Sequence, residues 1–205
     1  MALSNYNDLK ASIADFLNRD DLTAVIPDFI TLAEAQLNRE VRHWRMEDRV
    51  NATVDSQYTA LPNNFLEPIR MVKTTGDFQI LELVGALEIS KLRQGANNNV
   101  GVPRVYTILD QAFEVFPSPD GDTVFELTYY EEIPDLATNS TNWLITYHPS
   151  AYLYGSLIHS APYLSEANRI AEWSALYQKA INDINAESER AKTGGSGRRM
   201  KIRSY

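Results

Sequence analysis

Near the start of the chain, apolar residues recur at three- and four-residue steps: Tyr6, Leu9, Ile13, Phe16 and Leu17. This spacing predicts an amphipathic helix over residues 5–18. Ser4 or Asn5 can cap it, Asp8 lies in its first turn, and Asn18-Arg19-Asp20-Asp21 ends it. A second stripe, built on Leu22, Ile26, Phe29, Ile30, Ala33, Leu37 and Val41, predicts a helix over 22–43. Pro27 early in that run moves its start toward 23–26 or kinks the first turn. The short connector predicts an antiparallel pair.

The period then changes from helical to alternating. Val50, Ala52 and Val54 point one way and Asn51, Thr53 and Asp55 the other, the signature of a half-buried strand. Leu61-Pro62-Asn63-Asn64-Phe65 is a turn. Residues 68–74 and 78–83 are two strands joined through Gly76-Asp77, and residues 85–93 a short helix. Residues 95–101 are a polar loop. Residues 103–110, 112–117 and 123–132 form a meander, with Phe125, Leu127 and Tyr129 on one face of its last strand. Short strands with tight connections predict an antiparallel sheet.

Helical spacing returns after that. Asn142-Trp143-Leu144-Ile145 starts a short turn, and Pro149 suits the first position of a helix through Ala151, Leu153, Leu157 and Ile158. Pro162 is expected to kink or break it. Residues 163–192 continue as a long helix with Ile170, Trp173, Leu176, Tyr177, Ile181 and Ile184 as its stripe. The expected fold class is α+β, with N- and C-terminal helices packed as a bundle plus an inserted antiparallel β-sheet region. The expected division is a helix pair over 1–44, a β region with one short helix over 45–135, bundle helices over 136–192, and a flexible basic tail over 193–205.

Composition sharpens this picture by exclusion. The 205 residues include 44% hydrophobic and 22% charged side chains, which argues against global disorder and against a fibrous repeat. The absence of cysteine removes disulfides, thiolate metal sites and thiol nucleophiles together. No apolar run approaches the roughly 20 residues that span a bilayer, and the N-terminus lacks a signal-peptide pattern. The expectation is a soluble protein of intracellular origin with no membrane partner.

Charge is unevenly spread. The net charge is −8, yet residues 190–205 hold six of the 19 bases and none of the 27 acids. A basic arm of +6 therefore follows an acidic body of −14, across the glycine-rich spacer Thr193-Gly194-Gly195-Ser196-Gly197. Such an arm is either a frayed, solvated terminus or a segment that orders when it docks on an acidic partner or on nucleic acid.

Catalytic chemistry finds little support. Gly194-Gly195-Ser196-Gly197 neither follows a strand nor opens a helix, so it is no phosphate loop, and no Gly-x-Ser-x-Gly elbow exists. The three histidines, His43, His148 and His159, are not at metal-ligand spacing. His159 is expected as a helix residue near the core edge, His148 as a boundary before Pro149, and His43 at a helix end where positive charge is favoured. Glu131 and Glu132 are adjacent on a strand and point apart. Asp120 and Asp122 flank a hairpin glycine rather than completing a calcium loop. Tyr147, Tyr152, Tyr154 and Tyr163 serve core packing and an interface equally well. The chain is therefore expected to be no enzyme, with no catalytic residue, no cofactor and no metal. A small hydrolase with a dispersed Ser/His/carboxylate site and a DNA-binding module acting through the tail stay open as alternatives.

Several elements occur in an order that resembles the head-to-tail adaptor proteins of tailed bacteriophages, especially the short-tailed ones. They are Tyr6-Asn7-Asp8-Leu9, the run from Ile26-Pro27-Asp28-Phe29 to Asn38-Arg39, Leu61-Pro62-Asn63-Asn64-Phe65-Leu66-Glu67, Pro103-Arg104-Val105-Tyr106, Tyr129-Tyr130-Glu131-Glu132-Ile133-Pro134, Asn142-Trp143-Leu144-Ile145 and the run from Pro149 to Leu157. The likeness covers residues 3–190. It implies a structural virion protein that forms a ring, commonly a dodecamer, below the portal protein. Such a ring extends the channel for genomic DNA without sequence-specific binding and offers a platform to tail (nozzle or tail-tube) and fibre proteins. It also implies the portal-tail junction of the virion as location, with assembly in the bacterial host cytoplasm. In related adaptors the C-terminal segment reaches the portal. Carried over, that role falls on Arg198, Arg199, Lys201 and Arg203, with Met200 and Ile202 as apolar anchors, as in an added strand.

Overall fold

A computed structural model describes residues 3–96, 99–164 and 167–194 of the chain. Among these the protein is α+β and falls into two compact units. The sheet unit is Glu47–Glu132, and the helical unit takes the residues before and after it.

The helical unit opens with α1 (Tyr6–Leu17). Asn5 caps it by accepting the amides of Asn7 and Asp8, and Asn18 ends it in the left-handed conformation at φ 50°. That geometry favours asparagine over most residues because its short polar side chain tolerates αL. The next helix, α2 (Ile26–Glu40), is shorter than the predicted 22–43. Pro27 falls in its first turn, where the missing amide costs nothing, and Val41 leaves the helix with extended dihedrals. After the sheet unit come α4 (Leu136–Asn139), α5 (Trp143–Tyr147), α6 (Pro149–Leu164) and α7 (Ala167–Thr193). The four-residue α4 has no sequence stripe of its own. Its N-cap Asp135 accepts the Thr138 amide, and Glu34 on α2 accepts the Leu136 amide at 2.8 Å. Pro162 does not end α6, which continues to Leu164. The ring lies in the last turn, where few helical hydrogen bonds remain to be lost.

Helices α1, α2 and α7 pack on α6. Leu9, Ile13, Phe29, Leu37, Leu157 and Ile184 are among the buried side chains that join them. Tyr152 is fully buried, and its hydroxyl accepts the Asn142 side-chain amide at 2.7 Å. Gly155 marks the closest approach. A Cβ there would lie 3.2 Å from the Ala33 Cβ and 3.3 Å from the Tyr177 ring, so α2, α6 and α7 meet where only glycine fits without a shift.

The sheet unit has β1 (Glu47–Val54), β2 (Tyr58–Ala60), β3 (Phe65–Lys73), β4 (Gln79–Leu83), β5 (Val105–Leu109), β6 (Ala112–Phe116) and β7 (Thr123–Glu131), with α3 (Ala86–Gly95) between β4 and β5. The strand order is β1-β7-β3-β4-β5-β6-β2. The meander reading is corrected here: β5 and β6 form a hairpin, but β7 leaves it and inserts between β1 and β3. Every pairing of these strands is antiparallel except the short parallel ladder of β4 with β5, which the α3 crossover permits. The predicted alternation in β7 holds, with Phe125, Leu127 and Tyr129 buried on the core face beside Met71, Leu81 and Phe113. Strand β3 begins earlier than predicted and includes Pro68, beside which the ladder shifts register. A proline without an amide is tolerated at such an irregularity. No helix among the described residues is long and apolar enough to cross a membrane.

Candidate functional site

The six residues that the sequence marks for docking, Arg198, Arg199, Met200, Lys201, Ile202 and Arg203, lie outside the described residues. Other surfaces that can serve assembly are visible. Phe78 and Ile80 alternate on one face of the β4 segment and stay 70% and 62% exposed, while Leu81 next to Ile80 is buried. Leu83 and, on α3, Leu87 and Leu92 are exposed as well, whereas Ile89 anchors α3 inward. Strand β1 is less covered than its pattern predicts. Val50, Ala52 and Val54 share a face, but they border an open apolar cleft of about 210 Å³ with Leu61, Phe113 and Leu127, and only Val54 is buried.

On the helical unit, the 3₁₀ turn Trp44–Met46 carries a cation between rings. The Arg45 guanidinium lies 4.5 Å from the Trp44 ring centre and 4.1 Å from that of Tyr147. Trp44 and Tyr147 are exposed. Of the tyrosine group singled out in the sequence, Tyr147 and Tyr163 face solvent and Tyr152 is core.

Beside this turn the structure builds a cluster that sequence spacing did not show. The amides of Arg42 and Trp44 donate to Asn185 Oδ1 at 3.1 Å and Ser188 Oγ at 3.0 Å, so α7 holds the segment that follows α2. Glu187 lies between those two contacts on α7. His43, fully buried, stacks on Trp143 with ring centres 4.9 Å apart and planes 18° off parallel. Its Nε2 is 3.8 Å from Glu187 Oε1. His148, at the end of α5, places its Nε2 3.5 Å from Glu187 Oε2. Ligand atoms of all three groups lie within 4.8 Å of one another. Both Nε2 atoms are buried without a hydrogen-bond partner.

The expectation for His43 is corrected accordingly. It sits three residues beyond the end of α2, and burial, opposed by the Glu187 charge, holds its pKa below the ordinary value. The same cause, in the same order, lowers His148. No local motif encodes this cluster. Its members come from the exit of α2, the α5–α6 junction and the last third of α7.

The remaining polar groups serve packing. His159 meets Gln36 Oε1 through Nε2 at 3.1 Å. Glu131 accepts the Asn64 side-chain amide at 2.8 Å, and burial raises its carboxyl above the usual range. Tyr129 O–H lies 3.0 Å from Asn64 Oδ1. Glu114, nearly buried on β6, pairs with Arg93 on α3 at 2.7 Å and accepts Gln57 Nε2 at 3.0 Å. Among the described residues no histidine bonds a serine hydroxyl, the pairing that a Ser/His/carboxylate relay requires.

A family model described as SU10 adaptor protein matches residues 4–200. No curated protein matches the chain. The chain belongs to the SU10 adaptor protein family and is a structural adaptor of a tailed bacteriophage, of the head-to-tail type that its ordered elements resemble.

Proposed function

We propose that this SU10 adaptor protein assembles as a ring, of about twelve copies if it follows related adaptors, beneath the portal. There it continues the DNA channel and gives tail proteins a docking platform. The observation that carries the reading is the family match across nearly the whole chain, residues 4–200. Two physical features support it. The sheet unit exposes large apolar side chains, Phe78, Ile80 and Leu87 foremost, of the kind that a neighbouring copy covers. The segment after Thr193 combines four cations with Met200 and Ile202, which suits an acidic surface with apolar pockets on the portal. A contact repeated around a ring holds through avidity even where each copy binds weakly. An acidic body limits sticking of a passing polyanion. Function then rests on shape and multiplicity, with no turnover of substrate.

The test is sedimentation of the full chain with purified portal, compared with a chain ending at Thr193. A large co-sedimenting complex that needs the tail is expected. Failure of the full chain to join the portal sinks the reading. The competing reading, in which the tail binds DNA, predicts a steeply salt-dependent DNA affinity lost with the tail while portal binding persists.

A further inference from the structure

We propose that His43, His148 and Glu187 form a binding site for a divalent transition-metal cation of the zinc, cobalt or nickel class. Two imidazole nitrogens and one carboxylate suit such ions better than calcium or magnesium, which favour sets made of oxygen alone. Ligands about 2.0–2.2 Å from a tetrahedral ion lie about 3.4 Å apart. The Nε2 atoms of His148 and His43 lie 3.5 and 3.8 Å from the two different oxygens of Glu187, and one ligand atom from each group lies within 4.8 Å of the others, so small inward side-chain shifts close the set around an ion. Those distances are too long for hydrogen bonds, so the carboxylate does not satisfy the two buried nitrogens that face it. A fully buried ring nitrogen with no partner is costly unless something occupies the space before it. Three protein ligands leave at least one position for water or a group from a binding partner.

The surroundings constrain the site further. Stacking on Trp143 holds the His43 ring plane. Asp183, one helical turn before Glu187 on α7, adds negative charge, whereas Arg45 and Lys192 oppose a cation. The Arg45 amide faces His43 Nδ1 at 3.3 Å. A cation on Nε2 puts the ring proton on Nδ1, so this contact must open by a small movement of the 3₁₀ turn. At that length it is a weak bond to give up. Once bound, the ion ties the exit of α2, the α5–α6 junction and α7 together, a cross-link present only in the folded chain.

The site does not depend on the ring or portal reading, and its test uses neither. The full chain, stripped with a chelator, is titrated with Co²⁺ while visible absorption is recorded, and its melting is followed with and without Zn²⁺. Saturation at one Co²⁺ per chain with ligand-field bands is expected, together with a higher melting temperature in Zn²⁺. Glu187→Gln and His148→Ala are each expected to weaken binding about tenfold or more. Glu187 is half exposed, so its replacement leaves the fold intact, as circular dichroism checks. His159→Ala, remote from the cluster, is expected to bind as the parent does. Absence of saturable binding, or equal binding by the Glu187→Gln and His148→Ala chains, overturns the proposal.

Discussion

The helical unit and the sheet unit carry similar charge but cover their apolar side chains differently. The sheet unit holds 14 acids and 6 bases, against 13 acids and 7 bases in the helical unit up to Glu189. Charge therefore does not tell them apart. Exposure does: of the 17 exposed large hydrophobic side chains among the described residues, 11 belong to the sheet unit, although it is the smaller. The helices face one another and bury their stripes from both sides. In the sheet unit one face makes the core, but the apolar cleft beside β1 leaves part of that face open, and Phe78 and Ile80 project from the other face. If the exposed side chains of the sheet unit serve the proposed assembly, stability and association draw on different residues, and substitutions can separate them.

The largest effect is expected inside the sheet core. Phe125 is 1% exposed and opposes Ala52 and Lys73 on its two neighbouring strands. Phe125→Ala is expected to lower unfolding free energy by about 3–5 kcal/mol, measured by urea titration, because β7 is the strand on which β1 and β3 both register. An effect under about 1 kcal/mol removes β7 as the centre of that unit.

Next comes Glu114, a nearly buried carboxylate of the sheet unit. Arg93→Met keeps the apolar stem but leaves Glu114 without its cation. The expected loss is about 2–3 kcal/mol, at or below the lower end of the range of about 3–5 kcal/mol for breaking a fully buried pair, because the Arg93 side chain is 27% exposed. A double replacement of Arg93 and Glu114 by methionine recovers much of the loss if desolvation of an unpaired charge is the cause. In the helical unit the corresponding test is steric. Gly155→Ala presses a methyl group on Ala33 and Tyr177 and is expected to cost about 1–3 kcal/mol, read as a lower melting temperature. A neutral result means that α2 and α7 can move apart there.

These residues also show what the sequence made legible. The cap at Asn5, the turn through Gly76 and the core face of β7 follow from local spacing, because each needs only neighbours within a few positions. The insertion of β7 between β1 and β3 does not, since strand pairing is decided by which apolar faces can be buried together across the whole unit. Strand β2 and helix α4 are too short to carry a period, and contacts from β6 and from Glu34 define them. The His43 cluster is the extreme case. Each histidine alone has an ordinary structural explanation, and only the packing of α7 against two chain reversals brings Glu187 between them.

A smaller, pH-dependent effect belongs to the helical unit. Burial, and less strongly the Asp135 charge, raise the Glu34 carboxyl above its ordinary value of 4.5, while the Leu136 amide works against them. Between the ordinary and the raised value the folded chain keeps a proton that the unfolded chain has lost. Glu34 therefore makes stability fall as pH rises through that window. Glu34→Gln keeps an acceptor for Leu136 and removes the titration. Its unfolding free energy is expected to vary less over about pH 4–7 than that of the parent. An unchanged slope assigns the dependence to other groups.

The smallest effect on stability is expected where the two units differ most. Phe78 and Ile80 project from the β4 segment at 70% and 62% exposure, so the folded monomer gains little from them. Replacing both by serine is expected to shift unfolding free energy by no more than about 0.5 kcal/mol. If a neighbouring copy covers these side chains, the same variant loses their burial only on assembly. A fully buried phenylalanine or isoleucine contributes about 1.5–3 kcal/mol, and in a ring every copy loses it at each interface. A modest defect per contact is thereby multiplied into loss of the closed assembly. Sedimentation with portal, run beside calorimetry on the free chain, reads both quantities from one preparation. Loss of the large complex at unchanged melting temperature assigns these side chains to the interface. Full assembly by the variant removes the β4 face from it and leaves the cleft beside β1 as the uncovered apolar surface to test in turn.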